Sequence, residues 1–255
     1  MNAWNPEQYE RFKAQRSQPF HDLLSMVSRR PGLRVLDLGS GTGELTRHLH
    51  DSLQATETIG LDSSREMLKK SAAFATSDLH FLQRDLRETD DLGSFDLVFS
   101  NAALHWVGNH EQLLIDLRSL LRDEGQLAVQ VPANHDHISQ THAAELATHE
   151  PFSTWLAGFV RESPVLPPQE YERILTGLKY RDLQVSERVY LHELPSREAV
   201  VEWVQGTTLT AYQELLSAGQ YGEFLATYRS TLLPQLSPGS PYQFTFKRTF
   251  FTARA

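Results

Sequence analysis

An apolar run that breaks into alternating glycines constrains this chain more than any other feature. Val35-Leu36-Asp37-Leu38 leads into Gly39-Ser40-Gly41-Thr42-Gly43, and a helical stretch follows at once. A strand, a glycine turn and a helix in that order form the start of a βαβ unit, and such turns hold nucleotide-like ligands at the helix start. The alternation continues: TETIGLD (56–62), LHFLQRD (79–85), FDLVFSN (95–101) and QLAVQVP (126–132) read as strands. Helices are predicted over REMLKKSAAFA (65–75) and HEQLLIDLRSLL (110–121), the latter ended by Asp123-Glu124-Gly125. Apolar strands alternating with helices predict an α/β fold on a mostly parallel sheet covered on both faces.

The flanks differ. Asn5-Pro6 reads as an N-cap and first helical position, with Tyr9, Phe12 and Arg16 on one face of the helix that follows. A second helix over roughly 19–29 carries Phe20, Leu23, Leu24 and Val27. After Pro132 the alternation stops: 139–160 reads as helix, 163–169 as a rigid linker, and 197–236 as mostly helix broken near Gly206 and Gly219. Two long alternating runs, 183–194 and 242–254, predict antiparallel strands forming a hairpin at one sheet edge, with the helices between them over the site.

The glycine turn selects its ligand. Gly39, Gly41 and Gly43 give G-x-G-x-G, whereas the dinucleotide fingerprint is G-x-G-x-x-G. Asp37, beside the turn, would repel a pyrophosphate but welcome an ammonium group. Asp62 ends the second strand, 21 positions after Gly41, where a carboxylate accepts from ribose hydroxyls. Asp85 lies past the third strand, in place to accept from an adenine amino group while Leu86 offers its backbone N–H to the ring. Such ligands bind beyond the carboxyl ends of the strands, where these acids gather.

With D-L-G-S-G-T-G, an acid ending strand two and an acid after strand three, residues 33–132 resemble the class I S-adenosylmethionine-dependent methyltransferases. The resemblance implies a Rossmann-like seven-stranded methyltransferase sheet, mostly parallel with an antiparallel edge hairpin and a helical cap, and S-adenosyl-L-methionine as cofactor. It also implies one methyltransferase domain over 1–255: helices of 1–30 covering the cofactor, a binding core at 33–132, and a cap, substrate region and final strands at 133–255. WNPEQYERFKAQRSQPFHDLL (4–24), NAALHWV (101–107), LAVQVP (127–132), WVQGTTL (203–209) and FKRTFF (246–251) are similar to the trans-aconitate 2-methyltransferases. That likeness implies methylation of a carboxylate of a small polycarboxylic acid. It makes Arg248 a match to a family arginine and Tyr171 a match to a family tyrosine, both substrate-binding. One departure stands out: after Trp-Val-x-Gly-Thr the family commonly runs Leu-Arg-Pro, and here Leu209 precedes Thr210 and Ala211. If that arginine grips a substrate carboxylate, this chain lacks one clamp.

Chemistry assigns the remaining candidates. Gly39, Ser40 and Gly41 let backbone approach the methionine portion, Asp37 faces its ammonium directly or through water, and Ser63 and Met67 join the cofactor-binding candidates. Arg16 reaches the methionine carboxylate or is a solvated surface charge. Tyr9 is a lid over the substrate or, with Phe12, a core aromatic. Asn101 and Ala102 follow strand four, where the methyl group sits, and Asn101 holds the amino-acid part. Trp106 walls the acceptor pocket. His105 donates to the acceptor or acts as base for a hydroxyl; the alternative is that His105 and Trp106 are a satisfied pair at a helix start. A carboxylate acceptor is ionised near neutral pH and needs no base.

Partners and competing functions follow from composition. The net charge is −8 with no Lys/Arg run longer than two, which disfavours nucleic acid and anionic membranes. Asn101-Ala102-Ala103-Leu104 also lacks the Asn/Asp-Pro-Pro-aromatic run of base methylases. There are no cysteines, excluding disulfides and thiolate metal sites. His135, His137 and His142 offer H-x-H without a fourth ligand at a recognisable spacing, so no metal is expected. A polar N-terminus and no long apolar segment predict a soluble cytoplasmic protein acting on a small molecule. The alternatives are an O-methyltransferase of a phenol or natural-product hydroxyl, a nicotinamide dehydrogenase and a non-catalytic cofactor binder.

Overall fold

A computed structural model describes residues 13–255, and the side chains from residue 17 onward. Helix α1 (Lys13–Ser25) precedes β1 (Arg34–Leu38), α2 (Glu44–Leu53), β2 (Glu57–Asp62), α3 (Arg65–Ser71), β3 (Leu79–Gln83), β4 (Phe95–Asn101), α4 (His110–Ser119) and β5 (Leu121–Pro132). Then come α5 (Ile138–Ala147), α6 (Phe152–Trp155), α7 (Pro168–Gly177), β6 (Arg181–Leu194), α8 (Glu198–Gln205), α9 (Thr210–Leu215), α10 (Ala218–Leu232) and β7 (Tyr242–Arg254).

The strands form one sheet in the order β3-β2-β1-β4-β5-β7-β6, the seven-stranded arrangement expected. β1 through β5 run parallel and β7 pairs with β5 antiparallel. From β1 the chain walks outward to β3, then returns to lay β4 on the other side of β1. That reversal opens a crevice at the carboxyl ends of β1 and β4, the usual ligand position in such sheets.

The helices bury the stripes that their sequences predict. α2 buries Thr46, Leu49, His50 and Leu53, and α4 buries His110, Leu113, Leu114 and Leu117. Each is an i, i+3, i+4, i+7 set, and a fully buried leucine contributes about 1.5–3 kcal/mol. Phe20, Leu23, Leu24 and Val27 are buried as expected.

The chain divides into two compact units. The larger holds Ser17–Pro132, Pro164–Arg188 and Arg248–Ala255; the smaller holds Ala133–Ser163 and Val189–Lys247. The smaller has its own core, built on Trp203, Tyr212, Phe224, Tyr228 and Phe244, with the rings of Tyr212 and Phe224 stacked 5.0 Å apart.

Several boundaries correct the sequence reading. α1 runs from 13 to 25 rather than 19 to 29, carries Pro19 inside, and ends where Met26 and Val27 turn their N–H groups back to the Leu23 and Leu24 carbonyls. Asp123-Glu124-Gly125 does not end a helix. Leu121 already pairs with Phe95 and Gln126 pairs with Leu97, so the residues between form a bulge, with Glu124 at φ 64°. The helix over 139–160 is interrupted around Pro151, leaving α5 and the short α6. The break near Gly219 lies earlier, at Ser217, whose hydroxyl and the Gln220 side chain form a capping box for α10. α7 was not foreseen, although Pro168 at its start and the buried Tyr171, Ile174 and Leu175 are its signature.

Candidate active site

The glycine turn is tight because three of its residues adopt backbone that side chains disfavour: φ is +82° at Gly39, +55° at Gly41 and +80° at Gly43. Gly39 is also pressed against the exit of β4. A Cβ placed there would fall 2.2 Å from the Ala103 Cβ. The N–H groups of Gly39 and Ser40 both donate to the Leu61 carbonyl at 2.8 Å.

Two acids meet this turn. Asp37, on β1, is buried, and its carboxylate accepts from the Thr46 hydroxyl at 2.6 Å. Burial pushes its pKa up to about 7 against the pull of Thr46, and the charge of Asp62 adds to the rise. Asp62 ends β2; one carboxylate oxygen accepts from the Gly41 N–H at 2.9 Å and the other from the Ser64 N–H at 2.8 Å. Burial raises Asp62 too, opposed by the Ser64 and Gly41 N–H groups. Its hydrogen-bond partners among the described residues are backbone dipoles, which aim the carboxylate without neutralising it. Asp85 differs. The Arg87 guanidinium holds it in a fork at 2.7 and 2.8 Å and, with the Arg87 N–H, pulls its pKa down to about 2. Leu86 follows it in the turn, half-buried.

Ser63 is exposed just past β2, and Met67 is half-buried on the first turn of α3, its N–H 3.4 Å from the capping Ser64 hydroxyl. Asn101 ends β4. Ala102 follows at φ 54°, held by its N–H to the Gln130 carbonyl at 2.9 Å. A non-glycine residue in left-handed backbone stores strain, a frequent mark of functional turns. His105 and Trp106 sit on a short 3-10 turn, Leu104–Trp106, with their rings 4.7 Å apart. Trp106 is 54% exposed, so it is no core residue, and His105 is half-buried.

Arg248 is 4% exposed and donates to the Gln130 Oε1 at 3.3 Å. Strand register fixes its face. Paired residues share a face: Asp37 with Phe99, Asn101 with Gln130, Gln130 with Phe250. Alternation along each strand therefore puts Asp37, Asn101, Gln130 and Arg248 on one side of the sheet.

That register corrects the assignment of Tyr171. Its ring stacks 4.7 Å from that of Phe251, on the face opposite Arg248, and its hydroxyl lies 2.5 Å from His110 Nδ1 and 3.3 Å from the Leu166 N–H. Fully buried, Tyr171 is a core residue and cannot share a substrate with Arg248. Tyr9 lies outside the described residues, and so does the side chain of Arg16. Thr210, where the resemblance implies an arginine, is buried and donates to the Thr207 carbonyl at 2.6 Å. His137 caps α5 and His142 meets the Thr231 hydroxyl at 2.7 Å.

A nucleoside sulfonium fits this rim on one further observation. Ser40 Oγ and Asn101 Oδ1 are buried with no hydrogen-bond partner among the described residues. Such atoms cost about 1–3 kcal/mol each, and here they share the carboxyl-end rim with two acids that have no ion pair among the described residues. Two contributors escaped the sequence reading. Thr46 gave no signal beyond its place one turn into α2. Gln130 did: it is the polar residue inside the apolar run Leu127-Ala128-Val129-Gln130-Val131.

Comparison with known proteins is consistent with this geometry. A family model described as a methyltransferase domain matches residues 29–173. The chain is 43% identical to the trans-aconitate 2-methyltransferase of Deinococcus radiodurans over 98% of both chains, and 34% identical to that of an Azoarcus species over 99% of both. The YcgJ protein of Bacillus subtilis superposes with a TM-score of 0.62 at 18% identity, covering 93% of this chain and 97% of its own, a likeness of fold. No helix among the described residues is long and apolar enough to cross a membrane.

Proposed function

As the chain belongs to the methyltransferase family, we propose that it transfers the methyl group of S-adenosylmethionine to a carboxylate of a small polycarboxylic acid, with trans-aconitate the first substrate to test. The observation that carries this reading is the pair of acids at the turn, buried Asp37 and half-buried Asp62, whose partners among the described residues are a hydroxyl and backbone N–H groups. A diphosphate would be repelled there, whereas an ammonium group supplies the missing positive charge. The relatives' names supply the acid.

When bound, S-adenosylmethionine supplies a methyl group already activated on a sulfonium. The chain's own residues then align and desolvate. Asp37 holds the ammonium end. Asp62, aimed by Gly41 and Ser64, accepts from the ribose hydroxyls, with Ser63 beside it. Asp85 and the Leu86 N–H take the adenine edge, and Met67 packs against the ring. Gly39, Ser40 and Gly41 bring backbone close to the methionine portion, and Asn101 with Ala102 closes its other side. Arg248 grips a carboxylate of the acceptor, and Trp106 walls the acceptor from water. Alignment of this kind supplies roughly 7–11 kcal/mol of barrier lowering. No side chain needs to remove a proton, because the acceptor is already an anion near pH 7.

In the same reading the protein works in the cytoplasm and leaves nucleic acid alone, supported by its lack of cysteine and its net charge of −8. The test is a thermal-shift series followed by turnover of methyl-labelled cofactor. S-adenosylhomocysteine should stabilise the protein and NAD should not, and label should pass to trans-aconitate as an ester. Stabilisation by NAD alone would return the chain to dinucleotide binding. Label reaching phenols but no acid would make a hydroxyl the acceptor.

A further inference from the structure

Gln130 is an anomaly in the sheet. It lies on β5 between Asn101 of β4 and Phe250 of β7, with no exposed surface. Its neighbours along the strand, Val129 and Val131, are apolar and equally buried. A glutamine at such a position must account for both ends of its amide, since each is costly to bury without a partner. One end is accounted for. Arg248 has donors and no acceptor, so the amide turns its oxygen to the guanidinium, at 3.3 Å. The nitrogen is thereby turned away from Arg248, and Nε2 has no partner among the described residues.

If Gln130 served only to steady a buried arginine, its NH2 group would be satisfied by the protein. Instead a spare donor is left on the same sheet face as Asn101, two residues from the carboxyl end of β5. Guanidinium and amide N–H groups side by side are suited to an anion with two oxygens. We infer that Gln130 is a substrate-binding residue: its Nε2 donates to a carboxylate of the acid, while its Oε1 turns the Arg248 guanidinium toward the same group. This inference rests on the polycarboxylic-acid reading above. It also assigns the carboxylate that Gln130 holds: one that stays free while another accepts the methyl group. Triacids should therefore gain from Gln130 and monoacids little.

The experiment uses dead-end complexes, in which S-adenosylhomocysteine occupies the donor site and no methyl group can move. The dissociation constant of trans-aconitate is measured by calorimetry for the wild type, Gln130→Met and Gln130→Glu, with crotonate as the monoacid. Gln130→Met removes donor and acceptor at similar size. Gln130→Glu keeps the contact to Arg248 and sets a carboxylate against the acid. Both variants should weaken trans-aconitate about 10- to 100-fold, Gln130→Glu the more, with S-adenosylhomocysteine affinity within about twofold of wild type. Crotonate should change far less, an acid-selective loss that a structural role would not produce. Unchanged trans-aconitate affinity in folded variants overturns the role of Gln130 alone. Failure of the wild type to bind trans-aconitate overturns the acid reading and this inference with it. Should neither variant fold, a crystal of the wild-type ternary complex decides: a carboxylate oxygen within hydrogen-bond distance of Gln130 Nε2 supports the assignment, and its absence overturns it.

Discussion

The two rims of the parallel sheet contain the same kinds of residue and treat them in opposite ways. At the rim where strands begin, acids are matched with arginines. Asp96 takes Arg30 and Arg122, each at 2.8 Å, and Glu124 takes Arg181 at 2.7 Å. Arg34 pairs with Glu57 across the first residues of β1 and β2. At the rim where strands end, Asp37 and Asp62 have no ion pair among the described residues and accept from a hydroxyl and from backbone N–H groups. Arg248, on the same face, donates to the Gln130 Oε1 at 3.3 Å. Asp85, past β3, is the exception at this rim, forked by Arg87; the pairs where strands begin belong to the scaffold. Carboxylates such as Asp37 and Asp62, drawn from water and left to a hydroxyl and backbone dipoles, store a demand for a partner from outside, which marks a binding site.

The contrast breaks most easily at Asp62. Asp62→Ala removes the proposed ribose contact and the acceptor that anchors the Gly41 N–H, so S-adenosylhomocysteine should bind about 100-fold more weakly or worse by calorimetry. A loss under tenfold would mean that this acid belongs with the paired ones. Arg248→Lys keeps the charge but loses the planar fork, and KM for trans-aconitate should rise about tenfold or more while cofactor affinity holds. An unchanged KM would make Arg248 structural.

Asp37 sharpens the comparison through pH. With its pKa near 7 in the free protein, it must lose a proton to meet an ammonium group. Affinity for S-adenosylhomocysteine should climb by up to about tenfold per pH unit below 7 and level off above it, and Asp37→Asn should flatten the curve. Stability moves the other way. Between about pH 4 and 7 the native state keeps a proton that the unfolded chain has released, so stability falls as pH rises through that window. Urea titrations of wild type and Asp37→Asn across the window would measure that slope directly.

Two smaller effects complete the series. His105→Ala should lower kcat less than about tenfold, because an ionised acceptor needs no base; a loss of about 100-fold or more would point to a hydroxyl acceptor. Arg30→Ala, at the settled rim, should cost within about 1 kcal/mol of stability and leave KM untouched. A change in KM there would erase the distinction between the rims.

Much of this was legible in the chain itself. The glycine turn, the places of Asp37, Asp62 and Asp85 at or past strand ends, and the five parallel strands follow from local chemistry and from apolar runs covered on both faces. What escaped depended on register between distant segments. Arg248 and Tyr171 were both assigned to the substrate, and only the pairing of β7 with β5 reveals that Tyr171, through Phe251, lies behind the sheet. The fork of Arg87 on Asp85 and the hydroxyl of Thr46 on Asp37 are likewise side-chain choices that spacing leaves open. The bulge at Glu124 was hidden because Asp-Glu-Gly ends helices as readily as it kinks strands. Gln130 was visible as a polar letter in an apolar word, yet only its burial and its half-used amide give that letter meaning.

The contact between Gly39 and Ala103 has a consequence for variation. With 2.2 Å between a Gly39 Cβ and the methyl group of Ala103, the two positions share room for a single methyl group. Growth at residue 39 pushes the glycine turn off the exit of β4, and growth at 103 pushes back on the turn. Even trading the methyl across, as Gly39→Ala with Ala103→Gly, leaves an alanine at φ +82°. Selection therefore meets these two residues as one heritable unit, and a library randomised at both should return the parental pair far more often than either residue alone.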